Sequence, residues 1–400
     1  MSDKVPKGWK RVKLGEVVKI NPPEPLKRDN KAKKVPMEAL KPFTKKIQFF
    51  LWEQYKGGVK FRNGDTLVAR ITPSLENGKT AFVDFLENDE IGFGSTEFIV
   101  LRAINGRIDK QFLYYFAISP EFRDIAIKSM TGSSGRQRVQ TEVVKKYEFF
   151  LPPLSEQRAI AGVLSSLDDK IDLLHRQNKT LEAMAETLFR KWFIEEAKED
   201  WEEKPLDEIA HFLNGLPCQK FPPENERDKL PVLKIKELKN GFGDNSDWAS
   251  SKVPKEYIVQ NGDIIFSWSG SLFLKIWDGE KCVLNQHLFK VTSEKFPEWF
   301  YYFWIKFYLK EFASIAESKA TTMGHIKKED LSSARVYVPP KEKLNMLDRK
   351  ITPIFDKIIL NNTQIRTLEN LRDTLLPKLM SGEVRVKDLR GGEENVFIKY

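Results

Sequence analysis

The sequence predicts a mixed α/β (α+β) chain: two globular units related by a pseudo-twofold and joined by two long helices that form an antiparallel coiled coil. Three observations predict it. Residues 151–193 carry a heptad pattern, residues 338–380 carry it again 187 positions later, and an aromatic motif upstream of each copy repeats at the same offset.

In the first copy, LPPLSEQRAIAGVLSSLDDKIDLLHRQNKTLEAMAETLFRKWF, Pro152 and Pro153 exclude helix before them, so a helix starts near Ser155. Ile160, Leu164, Leu167, Ile171, Leu174, Asn178, Leu181, Ala185, Leu188 and Trp192 then recur in steps of four and three, the seam of a coiled coil. Forty helical residues extend roughly 60 Å, too far for one small domain to bury, so the helix needs a partner of similar length.

The second copy supplies it without a gap. Pro152 and Pro153 match Pro339 and Pro340, Asp169-Lys170-Ile171 match Asp356-Lys357-Ile358, and Gln177, Thr180, Leu181 and Glu182 match Gln364, Thr367, Leu368 and Glu369. Upstream, FLYYFAI at 112–118 matches WFYYFWI at 299–305; with small shifts Asn63-Gly64-Asp65 matches Asn261-Gly262-Asp263, and Trp9 and Leu14 match Trp201 and Leu206. The chain is an internal duplication of a globular unit followed by a long helix.

Parallel and antiparallel pairing are both open in the sequence, and a pseudo-twofold favours antiparallel. Asn178 facing Asn361 pairs Leu164 with Leu375, Ile171 with Leu368, Leu181 with Ile358, Leu188 with Ile351 and Trp192 with Leu347, and sets Leu167 against Arg372. A buried amide pair fixes register at a cost in stability; in the alternative each amide reaches water.

Taken in order, residues 1–150 form the first unit. Residues 9–20 make a short first element, and 22–46, rich in Pro, Lys and Asn, read as loop. Strands are expected at 65–71, 80–85, 97–101 and 148–151, with a buried aromatic helix at 109–119. The first long helix occupies 151–199. The second unit, 200–337, has strands at 264–268, 282–284, 288–292 and 334–338 and a helix at 298–312. The second long helix lies in 338–385, where Pro353 predicts a kink or a fresh start, and 386–400 reads as a tail.

Composition bounds the function. Four hundred residues, 41% hydrophobic and 31% charged, suit two or three domains. The absence of a membrane-length apolar run or a signal-peptide core predicts a cytoplasmic protein without a membrane partner. Cys218 and Cys282 alone exclude a disulfide framework or a multi-cysteine zinc cage and read as buried thiols. The net charge is +9, and of 66 Lys and Arg and 57 Asp and Glu the first 150 residues hold 28 and 18, leaving 38 and 39. The basic surplus, and with it the case for a polyanionic partner, belongs to the first unit.

No constellation for catalysis is evident. Asn21-Pro22-Pro23-Glu24 is similar to the NPPY loop of amino-methyltransferases but ends in Glu24 rather than an aromatic ring, and reads as a turn. Gly132-Ser133-Ser134-Gly135-Arg136-Gln137-Arg138 lacks a P-loop ending; a basic loop facing DNA and a solvated turn are both open. The second unit places KATTMGHIKK, 319–328, at the same point. His175, His211, His287 and His325 show no metal-ligand spacing, so no metal site is expected.

GWKRVKLGEV near the start, NGDTLVAR and NGDIIFSWSG within the units, LPPLSEQRAI opening the first long helix and LLPKLMSGEV closing the second resemble the specificity subunit of a type I restriction-modification enzyme over almost the whole chain. The resemblance implies two target recognition domains, each reading half of a split sequence in double-stranded DNA, and two conserved helical regions whose coiled coil sets the gap. It also implies methyltransferase and restriction/translocase partner subunits. The chain would be non-catalytic by itself, with S-adenosylmethionine, ATP and Mg belonging to those partners. Two departures are PPKEKLN in place of PPLSEQR, and Trp268 in place of Arg70. Candidate DNA-binding residues are Lys27, Arg28, Lys31, Lys33, Lys34, Lys45, Lys46, Arg70, Arg136 and Arg138 in the first unit. In the second they are Lys234, Lys236, Lys239, Lys319, Thr321, Thr322, His325, Lys327 and Lys328. Glu156, Gln157 and Arg158, placed on the outward helix face, are candidates for partner-subunit contact. The rival readings are a coiled-coil scaffold that binds no DNA and an unpaired specificity subunit used for regulation.

Overall fold

The computed structural model describes residues 6–387 except 134, 199, 244 and 319–323. Two compact units divide the chain, Met1–Asp172 with Leu368–Tyr400, and Leu173–Thr367, so each holds a globular part and a stretch of both long helices.

In the first unit, Lys10–Lys13 pairs antiparallel with Glu148–Leu151, which closes the globular part where the long helix begins. One four-stranded sheet runs in the order Val18–Ile20, Phe98–Ala103, Thr66–Ala69, Thr80–Phe82; the other runs Leu51–Gln54, Lys31–Val35, Gly92–Gly94, Val59–Phe61. Val35, Phe61, Leu67, Phe98 and Val100 fill a shared core. Helix Lys110–Ile118, capped by the Asp109 carboxylate accepting from the amides of Gln111 and Phe112, buries its aromatic run in a second core with Val68, Ile99 and Leu101. Strand Thr66–Ala69 is therefore buried throughout rather than alternating, because both its faces are covered.

The second unit repeats this scheme. Its sheets run His211–Asn214, Leu288–Thr292, Ile264–Ser267, Phe273–Ile276 and Trp248–Ser250, Lys229–Leu233, Cys282–Leu284, Ile258–Val259. Even the register repeats: Lys34 opposite Phe93 and Val35 opposite Gly94 become Val232 opposite Val283 and Leu233 opposite Leu284, each in a parallel pair. Cys218 and Cys282 are buried free thiols.

Two expectations change. Residues 22–46 are not all loop, since Lys31–Val35 is a strand and Met37–Ala39 a 3₁₀ turn. Its inward Lys33 is tolerated because Glu90 pairs with the ammonium at 2.8 Å and the Phe50 and Trp52 rings lie within 6 Å of it. Of the two outcomes allowed for Pro353, a fresh helix start does not occur, since the second helix runs unbroken over Lys341–Ser381. Pro353 and Arg349 are both exposed, leaving water to serve the carbonyl that loses its helical donor. The first helix spans Leu154–Arg190 and ends in a π-helical turn, Lys191–Glu195.

Contacts within each unit give the helices opposite directions. In the first, Ile160, Ala161 and Leu164 share a core with Leu376, Leu379 and Met380, while Glu156 pairs with Arg385 and Asp168 with Arg372. In the second, Ala185, Phe189 and Phe193 share a core with Leu344, Leu347, Ile351 and Phe355, and Asn178 meets Asn361. The expected seam drifts toward the helix ends: Leu167, Leu188 and Trp192 are half-buried, whereas Asp168, Phe189 and Phe193 are buried. There the helix also meets the globular core, as where Phe189 packs on Phe303 and Trp304, so the narrow seam widens into a broader face.

Candidate nucleic-acid interface

Three loops converge in each unit. In the first, the Arg70 amide donates to the Glu97 carbonyl at 2.9 Å, the Val139 amide to the Arg70 carbonyl at 2.9 Å, and the Thr72 amide to the Gln137 carbonyl at 3.1 Å. Arg70, Glu97 and Arg138 are thereby gathered. Arg138 grips the Glu97 carboxylate through Nε and Nη2 at 2.6–3.1 Å, and those hydrogen bonds hold the carboxyl below its ordinary value. Arg70 donates through Nη2 to the Val139 carbonyl, while its buried Nε has no hydrogen-bond partner.

In the second unit the Ile326 amide donates to the Trp268 carbonyl at 3.0 Å and the Gly270 amide to the Gly324 carbonyl at 2.8 Å. This gathers Trp268, His287 and His325, whose rings lie 6.0 and 6.2 Å from the indole. Trp268 Nε1 donates to Asn214 Oδ1 at 3.0 Å, and His287 Nδ1 lies 3.2 Å from Ser269 Oγ. An open groove of about 540 Å³ follows, lined by Gln219, Lys234, Trp248, Asn285, Gln286 and His287 among others. Trp248 is 48% exposed, and Trp52 of the first unit, 55% exposed, holds the corresponding place on its edge strand.

The proposed cations separate into two sets. Lys27, Arg28, Lys31, Arg136, Lys236, Lys239, Lys327 and Lys328 are exposed. Lys33 and Lys45 are buried: the first is neutralised by Glu90, and the second donates to Ser165 Oγ at 3.1 Å over the Phe82 and Tyr115 rings, burial pushing its ammonium down. Lys34 pairs with Glu53, Lys46 with Asp84 and Lys234 with Asp247. Lys319, Thr321 and Thr322 lie outside the described residues.

Of the three residues expected to face outward on the first helix, Arg158 does so. Gln157 is 1% exposed and serves as a tether, accepting from the Asp109 amide at 2.7 Å and donating to the Pro152 carbonyl at 2.8 Å. Glu156 accepts from the Trp9 indole and from Arg385. Glu24, where the similar methyltransferase loop has its aromatic ring, is a buried carboxylate gripped by Arg62 and Arg102. Burial pushes its carboxyl up, and the two guanidinium groups outweigh that and hold it below the ordinary range.

Sequence reasoning did not single out Glu97, Gln219, Asn285, Gln286 or the placement of His287. Ser95-Thr96-Glu97 and Asn285-Gln286-His287 each sit between two strands, but only the shared topology marks them as equivalent. Among the described residues no helix is long and apolar enough to cross a membrane, and no group of three or more His, Cys, Asp and Glu is placed to hold a metal.

A family model, the type I restriction modification DNA specificity domain, matches residues 6–183 and again 198–371. Over 306 residues the chain is 30% identical to the MjaIX type I restriction enzyme specificity subunit of Methanocaldococcus jannaschii, covering 70% of each protein. It is 30% identical over 210 residues to the EcoEI specificity subunit of Escherichia coli, covering 49% of this chain and 35% of that relative. The crystal structure of a type I restriction-modification S subunit from M. genitalium shares the fold, with a TM-score of 0.56 at 15% identity over 95% of this chain and 98% of the other.

Proposed function

The chain belongs to the type I restriction modification DNA specificity family, and from that premise we propose that it selects a split duplex target, one half-site per unit, with the paired helices setting the gap. The observation that carries this is one two-sheet scaffold built twice, with different side chains on the same loops. A single folded frame with two loop chemistries suits two different half-sites.

Exposed Lys27, Arg28, Lys31 and Arg136, with Lys236, Lys239, Lys327 and Lys328, would neutralise phosphates and set position, while loop side chains read base edges. Arg158 would face a methyltransferase subunit. In this reading the chain works in the cytoplasm and is not itself catalytic. Methyl transfer from S-adenosylmethionine, and ATP- and Mg-dependent translocation and cleavage, would be carried out by partner methyltransferase and restriction subunits.

Selection of duplexes from a random pool, with this chain co-expressed with its methyltransferase subunit and eluted at rising salt, tests the proposal. Two short specified blocks separated by a fixed unspecified run are expected. No motif, with no binding even at low salt, would favour a scaffold that binds no DNA, because phosphate contacts strengthen as salt falls.

A further inference from the structure

The three loop positions gathered in each unit are the same backbone sites. Arg70 and Trp268 each follow the last residue of the equivalent strands Thr66–Ala69 and Ile264–Ser267, as the pairs Ala69–Phe98 and Ser267–Leu288 show. Glu97 and His287 each precede those partners, Phe98 and Leu288. Arg138 and His325 each precede the residue whose amide caps the first position's carbonyl, Val139 and Ile326. One frame therefore presents Arg-Glu-Arg in the first unit and Trp-His-His in the second.

Scaffold repair does not account for the exchange. The strands that carry the sites keep register and complete burial, while the three side chains change from charged to aromatic together. Arg138 is 44% exposed at its side chain, so its bond to Glu97 aims a guanidinium rather than filling a core.

We propose that these three positions are the base-reading residues of each unit: Arg70, Glu97 and Arg138 read a G·C pair in one half-site, and Trp268, His287 and His325 read an A·T pair in the other. The inference rests on the DNA-specificity reading above. Guanine offers O6 and N7 to a forked guanidinium, and cytosine N4 donates to a carboxylate. Arg138 keeps N–H groups beyond those given to Glu97. An indole face meets the thymine methyl, and Gln286 beside His287 supplies an amide of the type that pairs with adenine N6 and N7.

The test repeats the random-pool selection with Arg138→Ala and His287→Ala, each co-expressed with the methyltransferase subunit. The expected result is loss of a G·C preference at one position of one block for the first variant and of an A·T preference in the other block for the second, by about ten- to a hundredfold, with the salt slope unchanged. If Arg138→Ala does not fold, Glu97→Gln keeps the shape and reads the same G·C position. Uniform weakening on all sequences with a shallower salt slope would identify phosphate contacts and overturn the proposal. Both motifs unchanged at unchanged affinity would overturn it equally. A wild-type chain that returns no two-block motif overturns the specificity reading itself, whereas an intact wild-type motif with insensitive variants overturns only this assignment.

Discussion

Arg372 on the second long helix donates to Asp168 on the first at 2.9 Å, and both side chains are buried. The repeat offset carries these positions to Ala185 and Phe355, also buried, so one unit holds an ion pair where the other holds an apolar pair. The charged pair is wired into its own unit: Tyr115 donates to Asp168 at 2.7 Å, and Arg372 donates to the Phe43 carbonyl at 3.2 Å.

Removing Arg372 would strand the buried Asp168 carboxylate, whereas removing Asp168 leaves Arg372 its exposed neighbour Asp373 at 2.9 Å. Arg372→Ala is expected to lower unfolding stability by about 3–5 kcal/mol, and Asp168→Ala by less. Asp168→Phe with Arg372→Ala and Tyr115→Phe, which imposes the second unit's solution and removes the orphaned hydroxyl, should recover most of that loss. Denaturant unfolding of the four chains decides it; a triple variant no better than either single one would show that the apolar solution does not fit the first unit.

Asn361 donates to Asn178 at 2.8 Å, and Asn178 donates to Asn362 at 2.6 Å. The offset relates these sites to Leu174 and Ile365, a buried apolar pair. Asn361 Oδ1 is itself buried without a partner, so the amide layer is incompletely satisfied. Asn178→Ile alone should cost about 1–3 kcal/mol by orphaning Asn361. Asn178→Ile with Asn361→Leu should exceed wild-type stability, as expected if the amides serve register rather than strength. A thermal melt in which the double variant falls below wild type would count against that division.

Glu24 ties Arg62 at 2.7 Å and shares Arg102 with Asp65. Its carboxyl is held below the ordinary value, so the folded state favours the ionised form more than the unfolded chain does. That contribution is fully present above the unfolded value, about pH 4.3, and is lost as the pH falls through the lower folded value. Glu24→Gln should therefore destabilise at pH 7, by about 1–3 kcal/mol, with the gap to wild type closing in acid. Urea midpoints at pH 7 and pH 3 measure it; a gap that widens in acid would reverse the assigned sign.

The duplicated helix is legible in the sequence because a long seam repeats its own spacing and each copy is announced by paired prolines. The aromatic helices are legible for the same reason, the run from Phe112 recurring from Trp299. Strand Lys31–Val35 is not, because what licenses its inward lysine is Glu90, 57 residues away, together with the Phe50 ring just before the next strand and the Trp52 ring on it. The switch from Leu188 and Trp192 to Phe189 and Phe193 is hidden likewise, being set by rings on Glu298–Ser318 that a heptad count does not see. The loop positions are the least legible. Arg70 and Trp268 lie in visibly matching motifs, but Glu97 and His287 become counterparts only when strand register aligns them.

If the paired helices set the gap between half-sites, changing their length should change the gap and nothing else. Deleting residues 170–176 with 364–370 removes one heptad from each helix and keeps both Asp168–Arg372 and Asn178–Asn361. Seven residues at 1.5 Å each shorten the pair by about 10 Å, close to three base pairs at 3.4 Å. Selection from a random pool should then return the same two blocks with a gap shorter by about three. Loss of one block would place recognition partly in the helices, and an unchanged gap with both blocks intact would mean that spacing is set outside this pair.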